Sequence, residues 1–246
     1  MISKSQIKLI QSLRHARGRE EAGLYVVEGV KMVDELLSSN HETAQIYALD
    51  DWKPASDVRN VEIIKEHELQ KISNLTTPNK VVALARIPAP TSPVKPDKEL
   101  VLLLDHISDP GNMGTIIRTA EWFGINRVIA SDDSVDFWNP KVVQASMGSV
   151  FRMPLHCVSI TEYLQQNSGV PVYGTLFNGE DPAKIKLSPY GIIIVGNESR
   201  GIAQDVQSFV TTKLTIPAAA TSLSESLNAS VATAIVCYEF RRQFPV

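Results

Sequence analysis

At 246 residues, 43% hydrophobic and 21% charged, the chain has the composition of an ordinary water-soluble protein, long enough for one large domain or two modest ones. Its net charge of −3 neither announces nor excludes a nucleic-acid binder, because the useful quantity is the charge on one face. No stretch reaches the roughly 18 apolar residues of a membrane span, the N-terminus carries no apolar signal core, and Cys157 and Cys237 stand at no metal or disulfide spacing, so a cytoplasmic protein with reduced thiols and no membrane contact is expected.

Residues 1–86 alternate helical and strand patterns. The periodicity predicts a helix over 5–13, a strand over 24–27, a helix over 30–37 and strands over 44–49, 61–65 and 81–85, together a small α/β domain. Lys4, Lys8, Arg14, Arg17, Arg19 and Lys31 outnumber Glu20, Glu21 and Glu28 there. This is either a solvated surface or a docking surface for RNA phosphates. In the second case Arg14, Arg17, Arg19 and Lys31 are the candidate contacts. Residues 87–99 hold Pro88, Pro90, Pro93 and Pro96 and few apolar side chains, which predicts a linker.

The pattern over 100–246 is strand, helix, strand in short units, which implies a parallel sheet covered by helices. Strands are expected at 100–105, 127–130, 155–158, 170–176, 191–195 and 213–216, and helices at 113–123, 140–147 and 160–166. Asn139 and Pro140 read as N-cap and first helical residue. Pro217 cannot donate to a sheet ladder and forces the chain out of it. A long helix then opens at Glu225-Ser226-Leu227-Asn228, with Leu227, Val231, Ala234, Ile235 and Tyr238 at helical spacing and Arg241 and Arg242 at its C-terminal end.

Two stretches suggest chemistry. The buried strand over 192–195 stops at the polar, glycine-bounded loop Gly196-Asn197-Glu198-Ser199-Arg200-Gly201, at the carboxyl end of a strand, where open α/β sheets hold their ligands. Earlier, Asp105-His106-Ile107-Ser108-Asp109-Pro110-Gly111-Asn112 leads from a strand into a helix with Arg118 about one turn in, among apolar neighbours. An enclosed arginine there suits a phosphate or a developing alkoxide. Neither G-x-G-x-x-G after a strand nor G-x-x-x-x-G-K-[ST] is present, which lowers the standing of dinucleotide binding and P-loop hydrolysis. His106 is a minor candidate for a conventional base. His15, His41, His67 and His156 show no metal spacing.

In order, Asn112-x-Gly114-x-x-x-Arg118-Thr119-Ala120, Gly196-x-Glu198-x-x-Gly201, and Ile216-Pro217 with Ser226-Leu227-Asn228 resemble the three motifs of the SpoU/TrmH family of RNA 2′-O-ribose methyltransferases. The stretch from Gly23 to Lys31 is similar to the substrate-binding domain that precedes the catalytic domain in many members. The resemblance implies an RNA substrate-binding domain over 1–86, a linker over 87–99 and, over 100–246, a catalytic domain with a parallel sheet and a C-terminal trefoil knot. It also implies a homodimer, a substrate of rRNA or tRNA, and S-adenosylmethionine as cofactor with no metal.

Carried onto this sequence, the resemblance places the cofactor at the loop after Thr175-Leu176 and at Gly196, Ile216, Pro217 and Leu227, largely through backbone groups. Close approach of a ligand then gives a reason for the glycine at 196. The catalytic set is Arg118, Asn112, Glu198, Ser226 and Asn228. Arg118 sits at the ribose hydroxyl as base or as stabiliser; a guanidinium pKa above about 12 favours the second role. Asn112 and Asn228 position Arg118 or an RNA phosphate, and Glu198 fixes the loop. Residues 218–224 depart from the family, being longer and lacking its usual glycine. Two other readings stand beside this one: a non-catalytic RNA-binding or assembly factor on the same scaffold, and an unrelated α/β nucleotide enzyme.

Overall fold

The computed structural model describes residues 1–55 and 58–245. In chain order its helices are α1 (Lys4–Ser12), α2 (Ala16–Ala22), α3 (Val30–Leu37), α4 (Glu66–Ile72), α5 (Pro110–Trp122), α6 (Pro140–Ser146), α7 (Ile160–Gln166), α8 (Gln204–Gln207) and α9 (Ala229–Gln243). Its strands are β1 (Leu24–Glu28), β2 (Thr43–Ala48), β3 (Val61–Ile63), β4 (Val81–Arg86), β5 (Leu100–Asp105), β6 (Arg127–Ser131), β7 (Leu155–Val158), β8 (Val172–Glu180), β9 (Gly191–Gly196) and β10 (Thr212–Leu214). By packing, the chain divides into one compact unit of Met1–Ala89 with Asp136–Arg152 and a second of Pro90–Val135 with Met153–Val246. No helix of the described residues is long and apolar enough to cross a membrane.

The first unit is built on a four-stranded sheet in the order β1-β4-β2-β3, antiparallel except for the parallel β2–β3 pair. Ser3 caps α1 by accepting from the Gln6 amide, and the Gln6 side chain returns to the Ser3 backbone, so two N–H groups that a helix start leaves open are satisfied. Gly23 ends α2 at φ 62, a left-handed conformation that glycine adopts without steric penalty. Ile10 and Leu13 meet Val26, Leu69, Ile72, Val82 and Leu84 in the core. Two helices go beyond the sequence reading. Neither Ala16–Ala22 nor Glu66–Ile72 is among the helices that the periodicity predicts. Residues 136–152 join this unit: Arg19, only 2% exposed, gives two hydrogen bonds to Asp136, and Arg152 pairs with Glu35.

The second unit has a six-stranded, wholly parallel sheet in the order β10-β8-β9-β5-β6-β7. Its central strands β5 and β9 are almost unbroken runs of Leu, Val and Ile buried on both faces, as expected of parallel strands under helices. Val101, Leu103, Ile192 and Ile194 pack against Ile160 and Leu164 of α7 and against Ile202 and Val206. Helix α9 packs against α5 and β9. No helix or strand forms over 87–99, where the prolines predict none.

Several expectations are corrected. Helix α5 starts at Pro110, before Met113, because Asp109 caps it by accepting from the Asn112 amide and Pro110 fits the first helical position. Arg118 is therefore about two turns in. Helix α9 starts at Ala229, capped by Asn228, not at Glu225. Its buried face is Ala229, Ser230, Thr233, Val236, Cys237 and Phe240, while Val231 and Tyr238, read from the sequence as an apolar face, are 47% and 53% exposed. Small residues at Ala229, Ser230 and Thr233 let the start of the helix sit close to its neighbours, and Val231 and Tyr238 face outward. Strand β8 runs to Glu180 and carries a wide bulge: Lys213 pairs with Gly174 but the next residue, Leu214, pairs with Glu180.

Candidate active site

Four chain segments meet at the carboxyl ends of β5, β8 and β9. The first is the start of α5. Asp109 turns its carboxylate into the Asn112 amide at 2.8 Å, which fixes the first turn and directs the Asn112 side chain away from the helix. The Asn112 amide nitrogen donates to the Glu198 carboxylate. The Asn112 amide oxygen accepts from the side-chain nitrogen of Asn228 at 2.9 Å. Asn228 in turn uses its own oxygen to cap α9, accepting from Ser230 N at 3.0 Å and Ser230 Oγ at 2.6 Å. A continuous chain of side-chain hydrogen bonds therefore runs Asn228–Asn112–Glu198 and joins two helix starts to the loop after β9.

The second segment is that loop. Asn197 and Gly201 exchange backbone hydrogen bonds of 3.2 and 2.8 Å, and the Asn197 side-chain oxygen accepts from the amides of Ser199 and Arg200. Its side-chain nitrogen donates to the His106 carbonyl at 3.1 Å, tying the loop to the end of β5. A Cβ at Gly196 would lie 2.3 Å from the Gly201 carbonyl carbon and 2.4 Å from Ile202 N. Glycine at 196 is thus required by the loop's own backbone, a reason that the sequence reading did not include. Asp105 anchors the far side by accepting from Ala203 N at 2.6 Å, and burial raises its carboxyl above the usual 3.8.

The third and fourth segments are the bulge of β8 and the chain before α9. Thr175 donates its hydroxyl to the Ile194 carbonyl at 3.1 Å. Thr215 closes the bulge, donating to the Leu176 carbonyl and accepting from Gly179 N, each at 2.6 Å. Ile216 is half-buried and Pro217 exposed. Phe177 in β8 and Leu227 before α9 are 70% and 46% exposed. Loops at the carboxyl ends of parallel strands are where open α/β sheets hold their ligands.

The candidate residues are not all brought together. Asn112, Glu198 and Asn228 are in mutual contact, and neither asparagine bonds to Arg118. Arg118 is exposed on α5, so the expectation that one chain encloses it is corrected: its helix turns the apolar neighbours Met113, Ile116, Ile117 and Ala120 inward and leaves Arg118 with Thr115 and Trp122 on the outer face. Ser226 is exposed in the segment before α9. In the first unit Lys31 is exposed, Arg14 donates to the Ser73 carbonyl, and Arg17 pairs with Glu21 one turn on. Arg19 is corrected as an RNA contact: its guanidinium is spent on Asp136 and on the Leu13 carbonyl. The sequence reading assigned no role to Asn197 and Asp105, and nothing in their local pattern marks them, since both act through partners distant in the chain.

A wholly parallel α/β sheet with helix-anchored loops at its carboxyl end is the architecture in which ligands bind beyond the strand ends. The model of the SpoU rRNA Methylase family matches residues 99–238, and that of an MRM3-like substrate binding domain matches 4–83. The chain is 30% identical to the Bacillus subtilis 23S rRNA (guanosine(2553)-2′-O)-methyltransferase RlmP over 96% of each protein. Among solved structures it is similar to a TrmH-family protein from Porphyromonas gingivalis, at 37% identity and TM-score 0.90 over 99% of each chain. It is also similar to the SpoU methyltransferase AviRb of Streptomyces viridochromogenes in complex with AdoMet, at 25% identity and TM-score 0.86 over 98% of each chain. The chain belongs to the SpoU methylase family.

Proposed function

We propose that this protein transfers a methyl group from S-adenosylmethionine to a ribose 2′-hydroxyl of ribosomal RNA, and that it does so as a cytoplasmic homodimer with a trefoil-knotted catalytic domain over 100–246 and a substrate-binding domain over 1–86. The observation that carries the reading is the Asn228–Asn112–Glu198 chain, which locks the three motif segments together at the carboxyl ends of β5 and β9. Family membership and the near full-length match to an rRNA 2′-O-methyltransferase support the substrate class. The strand order β10-β8-β9-β5, with α9 returning to β9 and α5, supports the knot.

S-adenosylmethionine would be held by the Thr175–Leu176 bulge, Gly196, Ile216, Pro217 and Leu227, and when bound it supplies an electrophilic methyl on a sulfonium. The protein's own work is alignment and charge. Alignment of nucleophile and methyl can contribute several kcal/mol. Arg118 stabilises the alkoxide that forms as the 2′-hydroxyl gives up its proton. Glu198, held by Asn112, keeps the loop after β9 in the shape that cofactor binding needs, and Ser226 lies within the same segment as Leu227.

A partner copy completes the site. Arg118 shares the outer face of α5 with Trp122, 83% exposed, and α9 presents Val231 and Tyr238 next to it through the Phe123–Tyr238 ring contact at 6.5 Å. An apolar surface of this kind marks an association site, and covering it would enclose Arg118. Arg14, Arg17 and Lys31 remain candidates for RNA phosphates in the first unit. The test is transfer of labelled methyl to unmodified 23S rRNA transcript, followed by digestion to nucleosides. Label in a 2′-O-methylated nucleoside supports the reading; a protein that binds both RNA and cofactor without transferring would establish the non-catalytic alternative instead.

A further inference from the structure

Beside the bonded chain of asparagines stands a second polar network that the proposed chemistry does not use. His106, the residue after β5, holds φ 56, a left-handed conformation that histidine, asparagine and aspartate adopt more readily than other residues with a side chain. Its Nδ1 lies 2.7 Å from Asp133 Oδ2, and Asp133 Oδ1 accepts from the Ser131 hydroxyl at 2.5 Å. The Ser131 hydroxyl oxygen accepts from His106 N at 2.9 Å. With the carboxylate on Nδ1, that nitrogen carries the ring proton and Nε2 presents a lone pair. Arg200 Nη1 donates to that lone pair at 3.3 Å.

The arrangement gives Arg200 a ring nitrogen, and no carboxylate, as its side-chain partner among the described residues. Glu198, two residues away on the same loop, is turned to Asn112, and the only side-chain acceptor shown for Arg200 among the described residues is the histidine nitrogen. Asp133 is committed to Ser131 and His106, whose hydrogen bonds hold its carboxyl below the usual 3.8. An exposed, oriented and uncompensated guanidinium at the carboxyl end of β9 has the geometry for a bidentate anion contact. In an RNA substrate the anion is the phosphodiester, since sequence-independent phosphate contacts are what fix register on a nucleic acid.

We propose that Arg200 clamps a backbone phosphate of the RNA next to the reacting ribose, and that His106 and Asp133 are positioning residues that aim it. The proposal rests on the RNA methyl-transfer reading and assigns three residues beyond it.

The test measures equilibrium binding of unmodified 23S rRNA transcript across a range of salt concentrations, alongside KM, kcat and calorimetric S-adenosylmethionine binding. Arg200→Ala is expected to weaken RNA binding about tenfold and to lower the slope of log affinity against log salt by about 1. KM for RNA rises while kcat and cofactor affinity stay within about twofold. Arg200→Lys keeps the salt slope. His106→Asn, which tolerates the left-handed backbone, weakens binding about threefold in the native background and has no further effect beside Arg200→Ala, the non-additivity expected of residues acting through one another. Unchanged affinity and slope in Arg200→Ala, weaker binding at the native slope, equal His106→Asn losses in both backgrounds, or no transcript binding by the native protein would each overturn the clamp. Binding is read without turnover, so a native protein that binds but does not methylate counts against transfer and leaves the clamp measured.

Discussion

Asn112 donates its side-chain amide to the carboxylate of Glu198, joining the first turn of α5 to the loop after β9 across 86 residues of sequence. Both halves of that amide are occupied, since its oxygen receives Asn228. The arrangement proposed as catalytic is therefore fixed by groups that hold each other, which is how alignment is prepared in advance.

Replacing Asn112 with alanine leaves the Glu198 carboxylate and the Asn228 amide without their shared partner. The expected result is a loss of transfer of about 10²-fold with the helix content retained. Asn112→Asp is expected to be worse, because it sets a second carboxylate against Glu198. Steady-state kinetics with circular dichroism as the fold control checks both.

Arg118 is exposed on α5, so Arg118→Ala is expected to move the melting temperature by no more than a degree or two. Transfer is expected to fall by about 10²–10³-fold, the scale of losing one oxyanion donor. Turnover near the native rate would remove Arg118 from the reaction.

The outer face of α5 and α9 is expected to be the dimer contact. Tyr238→Glu or Val231→Lys places a charge in that apolar surface and is expected to yield a monomer by sedimentation, with transfer reduced because Arg118 loses its enclosure. A native-like dimer from both variants would locate the contact elsewhere.

Gly196→Ala puts a methyl group against the Gly201–Ile202 backbone, which cannot move as a side chain can. Destabilisation of about 1–3 kcal/mol is expected, together with loss of cofactor binding as the loop shifts. Denaturant titration and calorimetry separate the two effects.

Burial raises the Asp105 carboxyl above 3.8. The folded protein then binds more protons than the unfolded chain between the two values, so this group's contribution to stability is full below the unfolded value and is lost as pH rises through the folded one. Asp105→Asn keeps an acceptor for Ala203 N and is expected to flatten that part of the stability profile, measured by melting temperature from mildly acid to neutral pH.

What the sequence determined by itself is local. Runs of Leu, Val and Ile marked β5 and β9, proline and glycine marked where elements stop, and the motifs carrying Asn112, Glu198 and Asn228 marked segments that meet in the fold, because these properties depend on neighbours a few residues apart. Tertiary structure decided what depends on partners far along the chain. Arg19 reads as a free cation until Asp136, 117 residues on, takes its charge. The apolar stripe of α9 reads as core until close packing through Ala229, Ser230 and Thr233 turns Val231 and Tyr238 outward. The need for glycine at 196 is set by the returning backbone of Gly201 and Ile202, which its neighbours in sequence do not show. Hydrophobic period records that a helix has an apolar side, but only the shape of the neighbouring surface decides which side is covered.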